Sequence, residues 1–280
     1  ERIEGKGKTW DFVINRWVSD ARKGYVGNYT PETVSDYHAA MRKWTKPWLE
    51  MFACDLSKSD GRRLIRSVEE SGMSLSFVKK LKNTINVIFN FGIEEGIISG
   101  VQVSPVFGLK FNSKKEKVPD ILSLDEARKL LEESKQQNHP WYHIWAVALF
   151  TGMRNGELFA LRWERVDLNK RIMVVCESWT RENGYKDTKS GDDRSVEIAQ
   201  SLMPIMKDLY EKRTSEFVLP RVNSWEGGMQ SKILRDFLAE LNLPPIRFHD
   251  LRASWATIML SKGIEPIKVM AMGGWKDLKT

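Results

Sequence analysis

Cysteine is nearly absent, with only Cys54 and Cys176 in 280 residues. A disulfide framework or a zinc site needs several cysteines, or cysteines and histidines, at short spacings. Neither cysteine stands at such a spacing from the other or from any of the four histidines. Both read as buried, reduced thiols, and no metal or other cofactor is expected. Long apolar runs are also missing. The longest uninterrupted one, Ile144 to Phe150, is far short of the roughly 20 residues that cross a bilayer, so no membrane partner is expected. The opening Glu1-Arg2-Ile3-Glu4-Gly5-Lys6 has no apolar stretch behind a basic patch, which speaks against a secretory signal and for a cytoplasmic protein. No internal repeat or low-complexity tract is present, which excludes solenoids and long disordered segments.

What the chain does have is ordinary globular composition, an excess of Lys and Arg giving +7, and room for two cores. The charge suits a polyanionic partner, although many proteins that never meet nucleic acid are equally basic. Trp10, Val13, Ile14, Trp17, Val18 and Ala21 follow the three-and-four spacing of one buried helix face. Thr30-Pro31-Glu32 supplies a cap, a first-turn proline and an acid at the positive end of a second helix, whose face is Val34, Tyr37, Met41 and Trp44. Leu64, Ile65 and Val68 mark a third. Phe77, Val78, Leu81, Ile85, Ile88 and Phe89 mark a long fourth that ends near Gly96. On that fourth helix Lys79, Lys80, Lys82, Asn83 and Asn86 lie off the apolar stripe. Their donors suit phosphates and base edges, and the same face reads equally well as merely solvated.

Residues 9–110 are therefore taken as a helical domain and 111–120 as a basic linker carrying Lys114, Lys115 and Lys117. A second domain, 121–280, opens with the capping box Ser123 and Glu126 before Leu124, Ala127, Leu130 and Leu131. Trp141 to Phe150 reads as a largely buried helix. The β-branched run Arg171 to Glu177 and the alternating Arg194 to Ile198 predict a small sheet. Helices resume over Leu202–Lys212, Ser231–Leu241 and Asp250–Ser261, the last after the break at Pro244-Pro245. The fold class is thus mainly α with a small β-sheet.

Two polar clusters interrupt this pattern. In Thr151-Gly152-Met153-Arg154-Asn155-Gly156-Glu157-Leu158 an arginine leaves a buried helix through a glycine turn. A firmly held guanidinium there suits two phosphate oxygens, and a simple Arg154–Glu157 surface pair would explain the same residues. In His249-Asp250-Leu251-Arg252 the histidine and arginine sit at a helix start, off a buried face of Leu251, Trp255, Ile258 and Met259. Helix N-termini attract anions, while a histidine that merely caps its helix is the plainer alternative. Lys189, in the turn Thr188-Lys189-Ser190-Gly191, could reach into a cleft or simply be solvated.

Taken in order, these segments resemble the tyrosine recombinases, or phage integrases. Leu149 to Leu158, continued by Leu161-Arg162-Trp163 and Val166-Asp167, is similar to the family's first arginine box. Lys189 with Arg194-Ser195-Val196-Glu197-Ile198 is similar to its β-hairpin lysine region, with Lys186 close by. His249 to Arg252 followed by Ala253-Ser254-Trp255-Ala256-Thr257 resembles the second box, although Ala253 and Trp255 depart from its commoner choices. Met272-Gly273-Gly274-Trp275 resembles the tryptophan version of the following motif.

The resemblance implies a SAM-like helical core-binding bundle joined to a mixed α/β catalytic domain. It implies cutting and rejoining of DNA through a 3′-phosphotyrosine, as in integration and excision of mobile elements. The catalytic set would be Arg154, Lys189, His249, Arg252 and Trp275. Its partners would be double-stranded DNA carrying inverted-repeat core sites, clamped by the two domains, and a homotetramer on two duplexes, with accessory DNA-bending or directionality proteins. A type IB topoisomerase or an inactive, recombinase-derived DNA-binding protein would use much of the same apparatus. The family's nucleophilic tyrosine follows the Trp275 position, and none of Tyr25, Tyr29, Tyr37, Tyr142, Tyr185 or Tyr210 stands there. These 280 residues are therefore expected to be trimmed at one end or both, with an arm-binding domain upstream in many relatives, and not to cleave DNA by themselves.

Overall fold

In a computed structural model that describes residues 7–111, 120–181, 183–187 and 193–275, the chain divides into two units, residues 1–116 and 117–280. The first is built from α1 (Trp10–Arg22), α2 (Pro31–Trp44), α3 (Lys58–Glu70) and α4 (Leu75–Glu94). Each helix starts where a Thr or Ser hydroxyl accepts a first-turn amide: Thr9, Thr30, Ser57 and Ser74. The apolar spacing of α1 is fully used, for all six of its predicted core residues are buried. Trp10 also satisfies its indole N–H on the Thr45 hydroxyl at 2.8 Å. Tyr37 and Trp44 of α2 are half-buried and lie against Trp17 and Phe77.

The second unit contains α5 (Leu124–Gln136), α6 (Tyr142–Thr151), α7 (Asn155–Ala160), β1 (Val166–Asp167), β2 (Ile172–Val175), β3 (Glu177–Thr180), β4 (Gly184–Asp187), β5 (Arg194–Glu197), α8 (Met203–Glu211), α9 (Asn223–Glu226), α10 (Gln230–Glu240), α11 (Asp250–Ser261) and α12 (Pro266–Gly273). The capping box of α5 forms in both directions between Ser123 and Glu126. Apolar all round, α6 is buried at the centre of the core. It packs against both α5 and α11.

The expected small sheet forms, pairing the two predicted runs, and a separate hairpin lies beside it. β1, β2 and β5 form one antiparallel sheet in the order β1-β2-β5, with Val175 opposite Arg194, while β3 and β4 form a separate hairpin. The predicted strand Arg171–Glu177 therefore breaks at Cys176. The physical reason is Trp179, which stacks on Phe159 of α7 with ring centroids 4.2 Å apart and draws β3 away from the sheet. Both cysteines are free, and they are half-buried rather than buried. Among the described residues no helix is long and apolar enough to cross a membrane.

The end of α6 sets the course of the chain into α7. Gly152 caps α6 at φ 62° in the left-handed region, and a Cβ there would lie 2.1 Å from Trp255 of α11. Glycine is thus required both by its backbone and by its neighbour. Gly152→Ala is expected to destabilise the protein by roughly 2–4 kcal/mol, the sum of left-handed strain and a displaced tryptophan. The urea midpoint checks this, and an unchanged midpoint would contradict it.

Candidate functional site

Arg154 lies just beyond the Gly152 turn, in extended conformation at the N-terminus of α7. Its backbone N–H donates to Glu157 Oε2 at 2.8 Å, its Nη1 to Glu157 Oε1 at 2.8 Å, and its Nη2 to the Gly274 carbonyl at 2.8 Å. The side chain keeps 45% of its surface exposed while Glu157 keeps 2%. The pair is therefore not the weak surface contact that the sequence also allowed. Its carboxylate is shared with Arg194 of β5, whose Nη1 and Nη2 donate to Oε1 and Oε2 at 3.0 and 2.6 Å. Burial pushes the Glu157 carboxyl upward, but the bonds from Arg194 and Arg154 outweigh it and hold the group below its ordinary range.

Arg252, on the first turn of α11, is 3% exposed. Sequence periodicity set it off the apolar face of that helix, and the structure buries that side too. Its Nη1 donates to the Gly152 carbonyl at 2.6 Å, and its Cζ lies 3.9 Å from the centre of the Trp275 ring. Its Nη2 is buried with no hydrogen-bond partner. Burial, and then the charge of Arg154, draw its pKa down to about 10. Trp275 in turn stacks on Trp255, 19° from parallel at 6.1 Å.

Two helix ends make this cluster possible. Gly152 and Gly274, both left-handed, cap α6 and α12. Their carbonyls, at the negative ends of two helix dipoles, are the acceptors that hold Arg252 and Arg154. His249 precedes α11 and makes no side-chain bond to the helix, so it is not a satisfied cap. Partial covering of the ring, then the Arg252 charge, lowers its pKa, so it is neutral at pH 7 and offers one N–H donor. Asp250 has a structural task. It binds the Arg247 backbone N–H, Nε and Nη2 at 2.8, 2.9 and 2.8 Å and fixes the entry to α11.

Of the predicted set, Arg154, Arg252 and Trp275 thus come together, with His249 at the edge. Lys189 lies outside the described residues, as do Lys114, Lys115 and Lys117, while Lys186 is exposed on β4. The donor face of α4 divides. Lys82 donates to the Leu109 carbonyl at 2.7 Å and sits over the Phe111 ring, and Asn86 accepts from the Ser104 hydroxyl. Both are committed to the segment after α4, a covering by later chain that the polar positions of one helix do not reveal. Lys79, Lys80 and Asn83 stay exposed, Lys80 being 3.8 Å from Asp36. The residue missed from sequence is Arg194, for nothing near it signals a partner on another element.

Chemically the cluster binds two guanidinium groups, of Arg154 and Arg194, to one carboxylate and sets a third, of Arg252, beside them with its buried Nη2 unpaired. That is a site for an anion. Among the described residues no group of three or more His, Cys, Asp or Glu is placed to hold a metal ion. Tyr142, Tyr185 and Tyr210 of this unit face His143, Phe217 and Trp163, none of which belongs to the cluster.

The sequence pattern of the phage integrase family matches residues 120–280, which contain every member of this cluster. The chain belongs to the phage integrase family. A tyrosine recombinase XerC-like protein of Caldanaerobacter subterraneus subsp. tengcongensis is 23% identical over 94% of this chain and 73% of its own length. Prophage integrase IntR of Escherichia coli is 32% identical over 44% of this chain and 29% of its own length. The chain thus spans only part of these curated relatives. Among solved structures, the Tn1549 transposon integrase in complex with a circular intermediate DNA superposes with a TM-score of 0.78 at 18% identity, over 95% of this chain and 92% of that one. The mainly helical integrase fold with small sheets is therefore shared.

Proposed function

We propose that this integrase is the core of a site-specific DNA recombinase that cuts and rejoins double-stranded DNA of a mobile element through a 3′-phosphotyrosine. The observation that carries the reading is the unpaired, buried Nη2 of Arg252 beside the anchored Arg154. Such donors, fixed in advance by the fold, are suited to charge that builds on nonbridging phosphate oxygens. Arg154, Arg252, His249 and Trp275 bind those oxygens. Lys189 protonates the leaving 5′-oxygen. The resemblance to the family implies an attacking tyrosine after the Trp275 position, where none of the six tyrosines of these residues stands. Attack breaks the phosphorus–O5′ bond and forms phosphotyrosine, whose linkage the free 5′-hydroxyl of a partner strand then attacks. The bond energy is retained, so no nucleotide cofactor is consumed.

Duplex DNA with inverted-repeat core sites, a homotetramer on two duplexes and accessory bending or directionality proteins are the partners this reading carries. Lys79, Lys80 and Asn83 are its candidates for phosphate contacts on the first unit, which makes affinity fall steeply with salt.

The test uses the product of the complete reading frame, incubated in EDTA with nicked duplexes from the DNA flanking its gene. A covalent protein–DNA adduct is expected. Salt-sensitive, site-specific binding without any adduct would replace this reading by a DNA-binding protein. Relaxation of supercoils without exchange of partners would replace it by a topoisomerase.

A further inference from the structure

Arg194 lies 37 residues from Glu157 and 78 from Met272 in sequence, yet it bonds to both. Its side chain is 8% exposed. The two Nη atoms match the two Glu157 oxygens in parallel, and Nε donates to the Met272 carbonyl at 2.7 Å. All of its directional bonding is turned inward, which leaves it poorly placed to bind DNA itself.

Those bonds have a common destination. Glu157 is one support of Arg154, holding its backbone N–H and Nη1. The other support is the Gly274 carbonyl, which takes Nη2 and lies two residues beyond Met272 at the end of α12. Gly274 also packs on Arg194 itself. A Cβ there would come 3.0 Å from Nη1. Both supports of Arg154 therefore rest on one planar fork, which a lysine ammonium cannot reproduce because it cannot make three divergent bonds in fixed geometry.

We propose that Arg194 is a positioning residue for the phosphate site, fixing Arg154 through Glu157 and the Gly274–Trp275 end of α12 through Met272. Its effect on rate rests on the proposed DNA cleavage. Its hold on α12 does not.

The test compares Arg194→Lys, which keeps the charge beside Glu157, with the unaltered complete protein. Adduct formation at saturating protein should slow about tenfold or more, with affinity for the nicked duplex kept within about twofold. In an Arg154→Ala background the same change should cost less than about threefold, because there is no longer an arginine to position. Equal losses in both backgrounds would show a merely structural role and overturn the proposal. Hydrogen exchange on the free protein supplies the independent readout. Amides of α12 through Trp275 should exchange about tenfold faster in Arg194→Lys while those of α5 and α10 are unchanged. Unchanged exchange in α12 would overturn the proposal, and this holds even if the unaltered protein forms no adduct and the cleavage reading fails.

Discussion

Replacing Arg252 by methionine is expected to slow adduct formation by roughly 10²–10³-fold without lowering the stability of the protein. The two halves of this expectation have one cause. Arg252 is buried, one arm of its fork has no partner, and its pKa is pulled down to about 10, first by burial and then by Arg154. A base whose folded pKa lies below its unfolded value opposes folding wherever both are protonated, here by roughly 3 kcal/mol. Methionine keeps an apolar stem and removes that charge. It also strands the Gly152 carbonyl that Nη1 now satisfies, at a cost of about 1–2 kcal/mol. The urea midpoint should therefore stay level or rise as cleavage collapses, the pattern of a site held in readiness at the expense of stability. Cleavage retained with a midpoint that falls would refute this account of Arg252.

Glu157→Ala, by contrast, is expected to cost roughly 3–5 kcal/mol of stability as well as loosening Arg154, because it leaves Arg194 buried without its counter-charge. The 8% and 2% exposures of this pair put it well outside the range of surface ion pairs. Its pH dependence comes from the lowered carboxyl pKa. A depressed folded pKa gives stability that is complete above the unfolded carboxyl value, about 4.3, and is lost as pH falls through the lower folded value. Compared with Glu157→Gln, the unaltered protein should hold a constant advantage near neutrality that shrinks only below about pH 4. Urea titrations at several pH values measure this. An advantage independent of pH down to about pH 2.5 would mean that Glu157 does not carry the charge assigned to it.

Much of this architecture could be read from local signals, and the exceptions share a physical origin. The caps at Thr30 and Ser123 and the apolar spacing of α1 are properties of a few neighbouring residues, and all appear in the structure. Arg154 and Arg252 are legible because one leaves a buried helix through a glycine turn, the other opens a helix beside His249, and both segments resemble the family's arginine boxes. What could not be read depends on chain far away. Arg194 looks like a solvent-side strand residue until α7 and α12 are placed around it. Lys82 and Asn86 look like free donors until residues 104–111 fold over them. Helical periodicity located the face of α11 that carries Arg252. The α6 turn and the Trp275 ring, on other elements, are what bury it. The break at Cys176 likewise depends on the Trp179–Phe159 stack and not on strand propensity.

The central claim is that Arg154, Arg252 and Trp275, with His249 beside them, form the seat of one DNA phosphate. The most direct test is a structure of this chain bound to a duplex carrying its recombination site. A backbone phosphate is expected there with a nonbridging oxygen at hydrogen-bonding distance, about 2.7–3.0 Å, from Arg252 Nη2. A bound duplex whose phosphates all pass elsewhere, leaving Nη2 unpaired, would contradict it.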